Sequence, residues 1–218
     1  MANQDLTIPI ITIDGGAGTG KGAVRSIVAR ELGFHQLDSG ALYRSVALIS
    51  IEKNITKVSE LVSVADNLIF QMKNNKALLR GRDVTTLIRS NQVADRASEI
   101  SKIKEVRQAL LKHELSAHLP PGLVADGRDM GEIFSTPYKF FLVATPEVRA
   151  RRRVLQFQKL GHPSNYQDIL KEILDRDEVD RTRDHSPFVA HSSAKVIDVN
   201  NISAQEVANI ILTAYKSG

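Results

Sequence analysis

The feature that most constrains the fold is a glycine-rich segment, Gly15 to Lys21, set between a β-branched run and a helical pattern. The run Ile8 to Asp14 (IPIITID) is apolar along nearly its whole length, which predicts a parallel strand buried on both faces. Apolar residues then recur with helical spacing from Lys21 to Leu32, and Gly33 ends that pattern. A strand, a G-x-x-x-x-G-K loop and a helix in direct succession predict a phosphate-binding loop.

The residue types of this loop suit an anionic ligand. Glycines let the backbone wrap so that its N–H groups point inward, and the following helix adds the partial positive charge of its N-terminus. Lys21 adds a full positive charge. The alternative is a glycine-rich turn with a solvated lysine, which the flanking strand and helix disfavour. Gly22 stands where Ser or Thr usually faces magnesium, and the resulting G-K-G string is seen in nucleoside-monophosphate kinases.

Strands alternate with helices along the rest of the chain, which predicts an α/β fold of three layers around a central parallel sheet. The short apolar pieces between Asn67 and Val84 are broken by turn residues, so we expect a small antiparallel unit inserted there. Further strands are predicted at about 34–37, 123–125, 139–143 and 195–199, and helices at about 41–51, 90–118 (as two), 147–160, 166–182 and 204–215.

Composition excludes several functions. The chain has no cysteine, which rules out disulfides, thiolate zinc sites and cysteine catalysis, and its six histidines have no metal-ligand spacing. No apolar run is long enough to span a bilayer, and Met1 to Pro9 lacks the basic start of a signal peptide. We therefore expect no membrane association and a cytoplasmic location. The net charge of +4 is spread without a basic arm, and no N-K-x-D guanine motif is present, so neither nucleic-acid binding nor a GTPase is predicted.

Three further segments carry a closer resemblance. They are DSGALYR (Asp38 to Arg44), ADGRDMG (Ala125 to Gly131), and Arg176-Asp177 followed by Asp180 and Arg183. With ITIDGGAGTGKG, and in this order over nearly the whole chain, they resemble bacterial cytidylate kinases, which belong to the nucleoside-monophosphate kinases of the P-loop kinase group.

The resemblance implies ATP-dependent phosphorylation of CMP and dCMP in pyrimidine nucleotide metabolism, with Mg²⁺ accompanying ATP and a monomeric enzyme. It implies the P-loop NTPase fold with the antiparallel β insertion in the monophosphate-binding part and a short helical lid. The whole of 1–218 would form one cytidylate kinase domain. Its core would lie at about 1–62, 119–150 and 190–218, its monophosphate-binding insertion at about 63–118 and its lid at about 151–189.

The same resemblance assigns site residues. The expected catalytic residues are Lys21, Arg128, Arg176 and Arg183. The expected ATP-binding residues are Gly15, Gly16, Ala17, Gly18, Thr19, Gly20, Lys21, Gly22, Ala23, Arg149 and Arg153. The expected CMP-binding residues are Ser39, Arg44, Ser98, Arg107, Arg128, Asp129, Arg176, Asp180 and Arg183. No direct protein ligation of a metal is expected, although Asp126 at the end of its strand is a candidate for ordering water on Mg²⁺.

The residues taken alone leave alternatives. Ser39 could be a plain helix N-cap, Asp126 a structural cap, and the arginines on the two late helices solvated salt-bridge partners. The chemistry favours arginines, because a phosphate acceptor is already an anion and transfer needs positioning and charge neutralisation. A regulatory switch or a nucleic-acid-dependent ATPase is the competing class, and UMP, AMP or shikimate are competing acceptors.

Four places depart from the family pattern. Ala23 replaces a usual Thr, for which we expect weaker ATP binding, and Gly16 replaces a Pro. Glu178-Val179 replaces an acidic-basic pair at the lid edge. The segment 198–201 lacks the usual hydroxyl residue after the last strand, so base contacts to ATP are expected to differ.

Overall fold

The computed structural model describes residues 7–73, 76–159, 164–182 and 188–217. The strands are β1 (Ile10–Gly15), β2 (His35–Asp38), β3 (Phe70–Lys73), β4 (Lys76–Leu79), β5 (Arg82–Asp83), β6 (Leu123–Gly127), β7 (Tyr138–Val143) and β8 (Lys195–Asp198). The helices are α1 (Lys21–Leu32), α2 (Ser39–Glu52), α3 (Val58–Asp66), α4 (Asn91–Ile100), α5 (Lys104–Ser116), α6 (Met130–Ile133), α7 (Pro146–Lys159), α8 (Tyr166–Thr182) and α9 (Ala204–Lys216).

The central sheet has five parallel strands in the order β2-β6-β1-β7-β8. Strand β1 lies in the middle, and all six of its residues are buried, as its apolar run predicted. Because the strands are parallel, their carboxyl ends meet at one edge, where the phosphate loop leaves β1. The predicted α/β fold with a central parallel sheet is confirmed.

Helices cover both faces of this sheet, which gives three layers. Alternate residues of β6 show the division, since Leu123 and Ala125 pack with α2 and α5 whereas Val124 packs with α1 and α9. A third, small apolar cluster joins α7 to α8 through Ala150, Ile169 and Ile173. Nothing in the described part of the chain has the length and apolar character of a membrane-crossing helix.

The predicted antiparallel insertion is present as a sheet of order β3-β4-β5. The sequence did not predict α3, which precedes it. Leu61 and Ala65 are the buried residues of α3, and the helix packs on α5. The proposed start of the insertion, at about 63, falls inside this helix. The assignment of core, insertion and lid stays a prediction.

Candidate active site

Two left-handed glycines and one side-chain hydrogen bond set the shape of the phosphate loop. Gly18 and Gly20 have φ values of 80° and 94°, a left-handed conformation that side chains disfavour, and Gly20 directly precedes α1. The Thr19 hydroxyl donates to the Gly16 carbonyl at 2.9 Å. Glycine is therefore required where the chain turns from β1 into the helix, and the loop opens towards the N-terminus of α1.

Lys21 folds back onto this loop. Its Nζ donates to the carbonyls of Gly15 and Gly16 at 2.7 and 2.8 Å. Desolvation and the nearby Arg128 guanidinium lower the pKa of Lys21 to about 8. An anion placed at the loop would favour the charged ammonium and offer it a better acceptor than a carbonyl.

Arg149 supports the loop from behind. It is 4% exposed, and a Cβ added at Gly16 would lie 2.7 Å from its Nη1, so the glycine that replaces the family's proline makes room for it. Both guanidinium Nη groups of Arg149 donate to Asp177 on α8, one of them at 2.9 Å. Arg149 is outside the residues that line the cleft described below. Its predicted ATP contact stays a prediction.

Three carboxylates end neighbouring strands at the carboxyl edge of the sheet. Asp14 accepts from the backbone N–H groups of Met130 and Gly131 at 2.9 and 2.7 Å and so caps α6, and burial raises its pKa to about 6. Asp126 forms an ion pair with the buried Arg25, which also lies 3.3 Å from Asp38. Burial raises the pKa of Asp126, while Arg25 opposes that effect. Arg25 was not predicted, because one arginine in an amphipathic helix gives no local signal.

On the other side of the loop, Arg107 from α5 forms an ion pair with Asp129, which follows β6. The Arg107 guanidinium also lies 5.9 Å from the centre of the Tyr43 ring. Arg107 and Asp129 are both predicted to contact the cytosine ring, and the fold brings them together across 22 residues of chain.

Ser39, the first residue of α2, is buried, and its hydroxyl donates to the buried Glu114 at 2.6 Å. The N-cap is the preceding Asp38, which accepts from Ala41 N at 2.9 Å. The alternative role of Ser39 as a plain N-cap is therefore wrong, and its hydroxyl is used elsewhere.

One cleft of about 590 Å³ brings together the phosphate loop, Arg25 with Asp38 and Asp126, Ser39, and the Arg107–Asp129 pair. Of the residues predicted to bind ATP, seven line it: Ala17, Gly18, Gly20, Lys21, Gly22, Ala23 and Arg153. Of those predicted to bind CMP, seven line it: Ser39, Arg44, Ser98, Arg107, Arg128, Asp129 and Arg176. Gly15, Gly16 and Thr19 are not among its lining residues. Arg183 and the Asp180 side chain lie outside the described residues.

The cleft also contains residues that the sequence did not single out, among them Tyr43, Met72, Arg89, Ser101, Gln156 and Phe157. Arg152, on α7 beside Arg153, lines it too. Arg152 and Arg153 follow Arg149 by three and four residues, and this helical spacing predicts that the three arginines share one face of the helix. Tyr43, Met72 and Phe157 resemble ordinary core positions in sequence, so no local pattern distinguishes them.

Comparison with known proteins decides the family. The family model for cytidylate kinases matches residues 11–217, nearly the whole chain. The chain belongs to the cytidylate kinase family. The resemblance drawn from the sequence motifs is confirmed, and the chain is a nucleoside-monophosphate kinase by family.

Curated relatives agree over the same length. Cytidylate kinase from Shewanella halifaxensis is 40% identical over 94% of this chain and 94% of its own. Cytidylate kinases from Proteus mirabilis and Shigella sonnei are each 41% identical, over 93% and 91% of both chains. Among solved structures, a shikimate kinase from Acinetobacter baumannii covers 97% of this chain and 94% of its own, at 18% identity and a TM-score of 0.45. So distant a match says nothing of the substrate.

Proposed function

We propose that this protein transfers the γ-phosphoryl group of ATP directly to the phosphate of CMP or dCMP, giving ADP and CDP or dCDP. The observation that carries the proposal is that the phosphate loop and the Arg107–Asp129 pair open into one cleft. Family membership supports the same acceptor. Direct transfer requires two anions held in line, and a single cleft lined by arginines on both sides provides for that.

The loop would hold the donor. Backbone N–H groups around Gly18 and Gly20, with the N-terminus of α1, bind the ATP phosphates, and Lys21 turns from the loop carbonyls to a phosphate oxygen. Ala17, Gly22 and Ala23 line the same surface, and Gly15, Gly16 and Thr19 shape the loop. Arg149 and Arg153 on α7 are proposed on the ATP side.

The acceptor phosphate would lie between Ser39, Arg44 and Arg128. Arg176 reaches the cleft from α8, and together with Lys21, Arg128 and Arg183 it would neutralise charge on the migrating phosphoryl group. The acceptor phosphate needs no general base, because it is already an anion. No nucleophilic side chain is required either, since the phosphoryl group passes directly between substrates.

The cytosine ring would be read by Ser98, Arg107 and Asp129. A carboxylate accepts from the exocyclic amine of cytosine, and an arginine donates to the acceptor atoms of the ring. Uracil carries a carbonyl in place of that amine, so Asp129 would face it without a donor. Asp180 is proposed to accept from the sugar hydroxyl, with Arg176 and Arg183 beside it.

The cleft fits a magnesium ion that arrives with the nucleotide. Mg²⁺ prefers oxygen ligands, keeps several waters and takes one or two carboxylates along with substrate phosphates. The described residues contain no group of three His, Cys, Asp or Glu that could hold a metal by itself. Asp126 lines the cleft next to the loop and would hold water on the ion. When bound, the ion neutralises charge on the donor phosphates.

A panel assay tests the acceptor. ADP release is followed with ATP and Mg²⁺ and with CMP, dCMP, UMP, AMP or GMP in turn. We expect CMP and dCMP to give the highest kcat/KM. Turnover of AMP or GMP without turnover of CMP would overturn the acceptor, and an ADP release independent of every acceptor would favour the ATPase or switch alternative.

A further inference from the structure

Glu114 is a buried carboxyl group beneath the acceptor side of the cleft. It lies on α5, is 2% exposed, and does not line the cleft itself. Its Oε1 lies 2.6 Å from the Ser39 hydroxyl, which does line the cleft. Glu114 has no role in the proposed reaction, although a carboxyl group so fully removed from water is costly unless it is neutral or well paired.

The Ser39 hydroxyl has one proton to donate. While Glu114 is ionised, that proton is given to the carboxylate, and the hydroxyl presents only lone pairs to the cleft. A phosphate oxygen also has only lone pairs, so it would receive no hydrogen bond from Ser39. When Glu114 is protonated, its O–H can donate to Ser39 Oγ over the same separation, and the serine proton is then available to the phosphate.

Burial favours the protonated form of Glu114, whereas the hydrogen bond from Ser39 favours the ionised form. Asp129, from the loop after β6, and Asp14, at the end of β1, both repel a negative charge on it, whereas Arg107 on α5 opposes them. Arg107 is itself engaged by Asp129. Burial, the largest effect, raises the pKa of Glu114 to about 7.

The other helices that pack on α5 contribute little charge at this point. From α3, Asp66 is held at the surface by Lys112 at 2.6 Å. From α2, Tyr43 lies near the Arg107 guanidinium. The charge balance at Glu114 therefore depends on the two aspartates and the one arginine.

We propose that Glu114 is a positioning residue for the acceptor phosphate: in its protonated form it turns the Ser39 hydroxyl proton towards the phosphate, so that acceptor binding takes up one proton. This rests on the proposed function, because it uses the phosphate of the acceptor. The proton comes from solvent and ends on a Glu114 carboxylate oxygen. No other bond is made or broken in this step. A bound phosphate dianion adds a further negative charge near Glu114 and so strengthens the preference for the protonated form.

We predict that the KM for CMP, measured at saturating ATP, rises with pH. If only the protonated form binds CMP well, the apparent affinity falls with the protonated fraction, by about tenfold per pH unit above the pKa. Between about pH 6 and about pH 8.5 the wild-type KM should rise roughly thirtyfold. The acceptor's own phosphate ionises at about pH 6, and this affects every variant alike.

Glu114→Gln supplies a permanent amide donor to Ser39. We expect its KM for CMP to stay near the low-pH wild-type value across the range. Ser39→Ala removes the hydroxyl that links Glu114 to the phosphate, so its KM for CMP should be high and equally independent of pH. Glu105→Gln is the matched control, an exposed carboxyl on the same helix, and should follow the wild-type profile.

Calorimetry of CMP binding in two buffers with different heats of ionisation gives the second readout. At about pH 8, wild type should take up close to one proton per CMP and Glu114→Gln close to none. No proton uptake by wild type, or the same KM profile in wild type and Glu114→Gln, would overturn the proposal. If another monophosphate is turned over in place of CMP, the same series with that acceptor tests Glu114 independently of the base. If no monophosphate binds, both the function and the inference are wrong.

Discussion

At the scale of single residues, the proposed base recognition depends on Asp129. Asp129→Asn exchanges a pure acceptor for an amide that can donate to the uracil carbonyl. A correct contact of this kind discriminates by about 1–3 kcal/mol, so the ratio of kcat/KM for CMP over UMP should fall roughly 10- to 100-fold. The ratio is measured by ADP release with each acceptor. Glu132→Gln, an exposed carboxyl on α6, is the control and should leave the ratio unchanged.

Arg176 is predicted to act on the transition state. Its side chain reaches the cleft from α8, and its loss should lower kcat about 10²- to 10³-fold with the fold intact, because charge on the migrating group is left uncompensated. The measurement is kcat under saturating substrates, with circular dichroism to establish folding. Arg181→Ala, an exposed arginine on the same helix that pairs with Glu178, should keep wild-type kcat. Near-wild-type turnover of Arg176→Ala would contradict the assigned role.

Many residues of the cleft were predicted at this scale because they belong to motifs, whose residue types and spacing indicate their chemistry. The loop glycines and Lys21 follow from spacing and flanking elements alone. Arg25 and Glu114 could not be found that way, since each acts through a contact made far away in the sequence. Their partners, Asp126 and Ser39, belong to motifs, but the motifs do not indicate that Arg25 and Glu114 contact them.

At the scale of elements, Arg149 and Asp177 connect the phosphate loop and α7 to α8. Asp177→Asn would leave the buried guanidinium without its charge partner. Asp177 is partly exposed, so the loss should be moderate, at about 1–3 kcal/mol of unfolding free energy. KM for ATP should rise several-fold, because Arg149 no longer holds the phosphate loop in place.

Urea unfolding and ATP kinetics check this expectation. Glu178→Gln, on the same helix, breaks the exposed pair with Arg181 and should cost under about 1 kcal/mol. If the two variants lose the same stability and bind ATP equally well, the connection through Asp177 does not support the loop.

Element prediction succeeded where periodicity and stop signals agreed. Helices α1 and α8 begin and end at the predicted residues, and Gly33 stops α1 in a left-handed conformation. Helix α3 was missed because it is short, lacks a side-chain cap at Lys57 and buries few residues. However, Val58, Leu61, Val62 and Ala65 recur at i, i+3, i+4 and i+7, so the sequence does carry an amphipathic signal for this helix.

At the scale of the whole molecule, burial of Glu114 makes stability depend on pH. Its pKa is raised from 4.5 in the unfolded chain to about 7 in the fold. Below 4.5 both states are protonated and the group has no effect. Between these values the folded state binds more protons than the unfolded state, so the free energy of unfolding falls as pH rises. Above about 7 the full cost of a buried charge remains.

Glu114→Gln removes this titration. Relative to wild type, its unfolding free energy should increase by up to about 3 kcal/mol between about pH 4.5 and about pH 8. Chemical denaturation of both proteins at both pH values measures this difference. Because the other titrating groups are the same in both proteins, their effects cancel. Glu105→Gln should show no such trend. A constant difference between wild type and Glu114→Gln would mean that Glu114 does not titrate as its burial requires.

The overall architecture was predictable because alternating strands and helices admit few arrangements once β1 and its loop are fixed. The two sides of the cleft come from separate stretches of chain, and only the order of strands in the sheet brings them together. The motifs could identify the family, whereas the single cleft that joins the residues predicted for donor and acceptor had to come from the structure.

The central claim is direct transfer between two bound nucleotides. It is tested by following the label from γ-labelled ATP in a single turnover with CMP and separating the products. We predict that the label appears in CDP at the rate at which ADP forms, with none in inorganic phosphate. Label that passes to inorganic phosphate at the same rate with or without CMP would contradict the account.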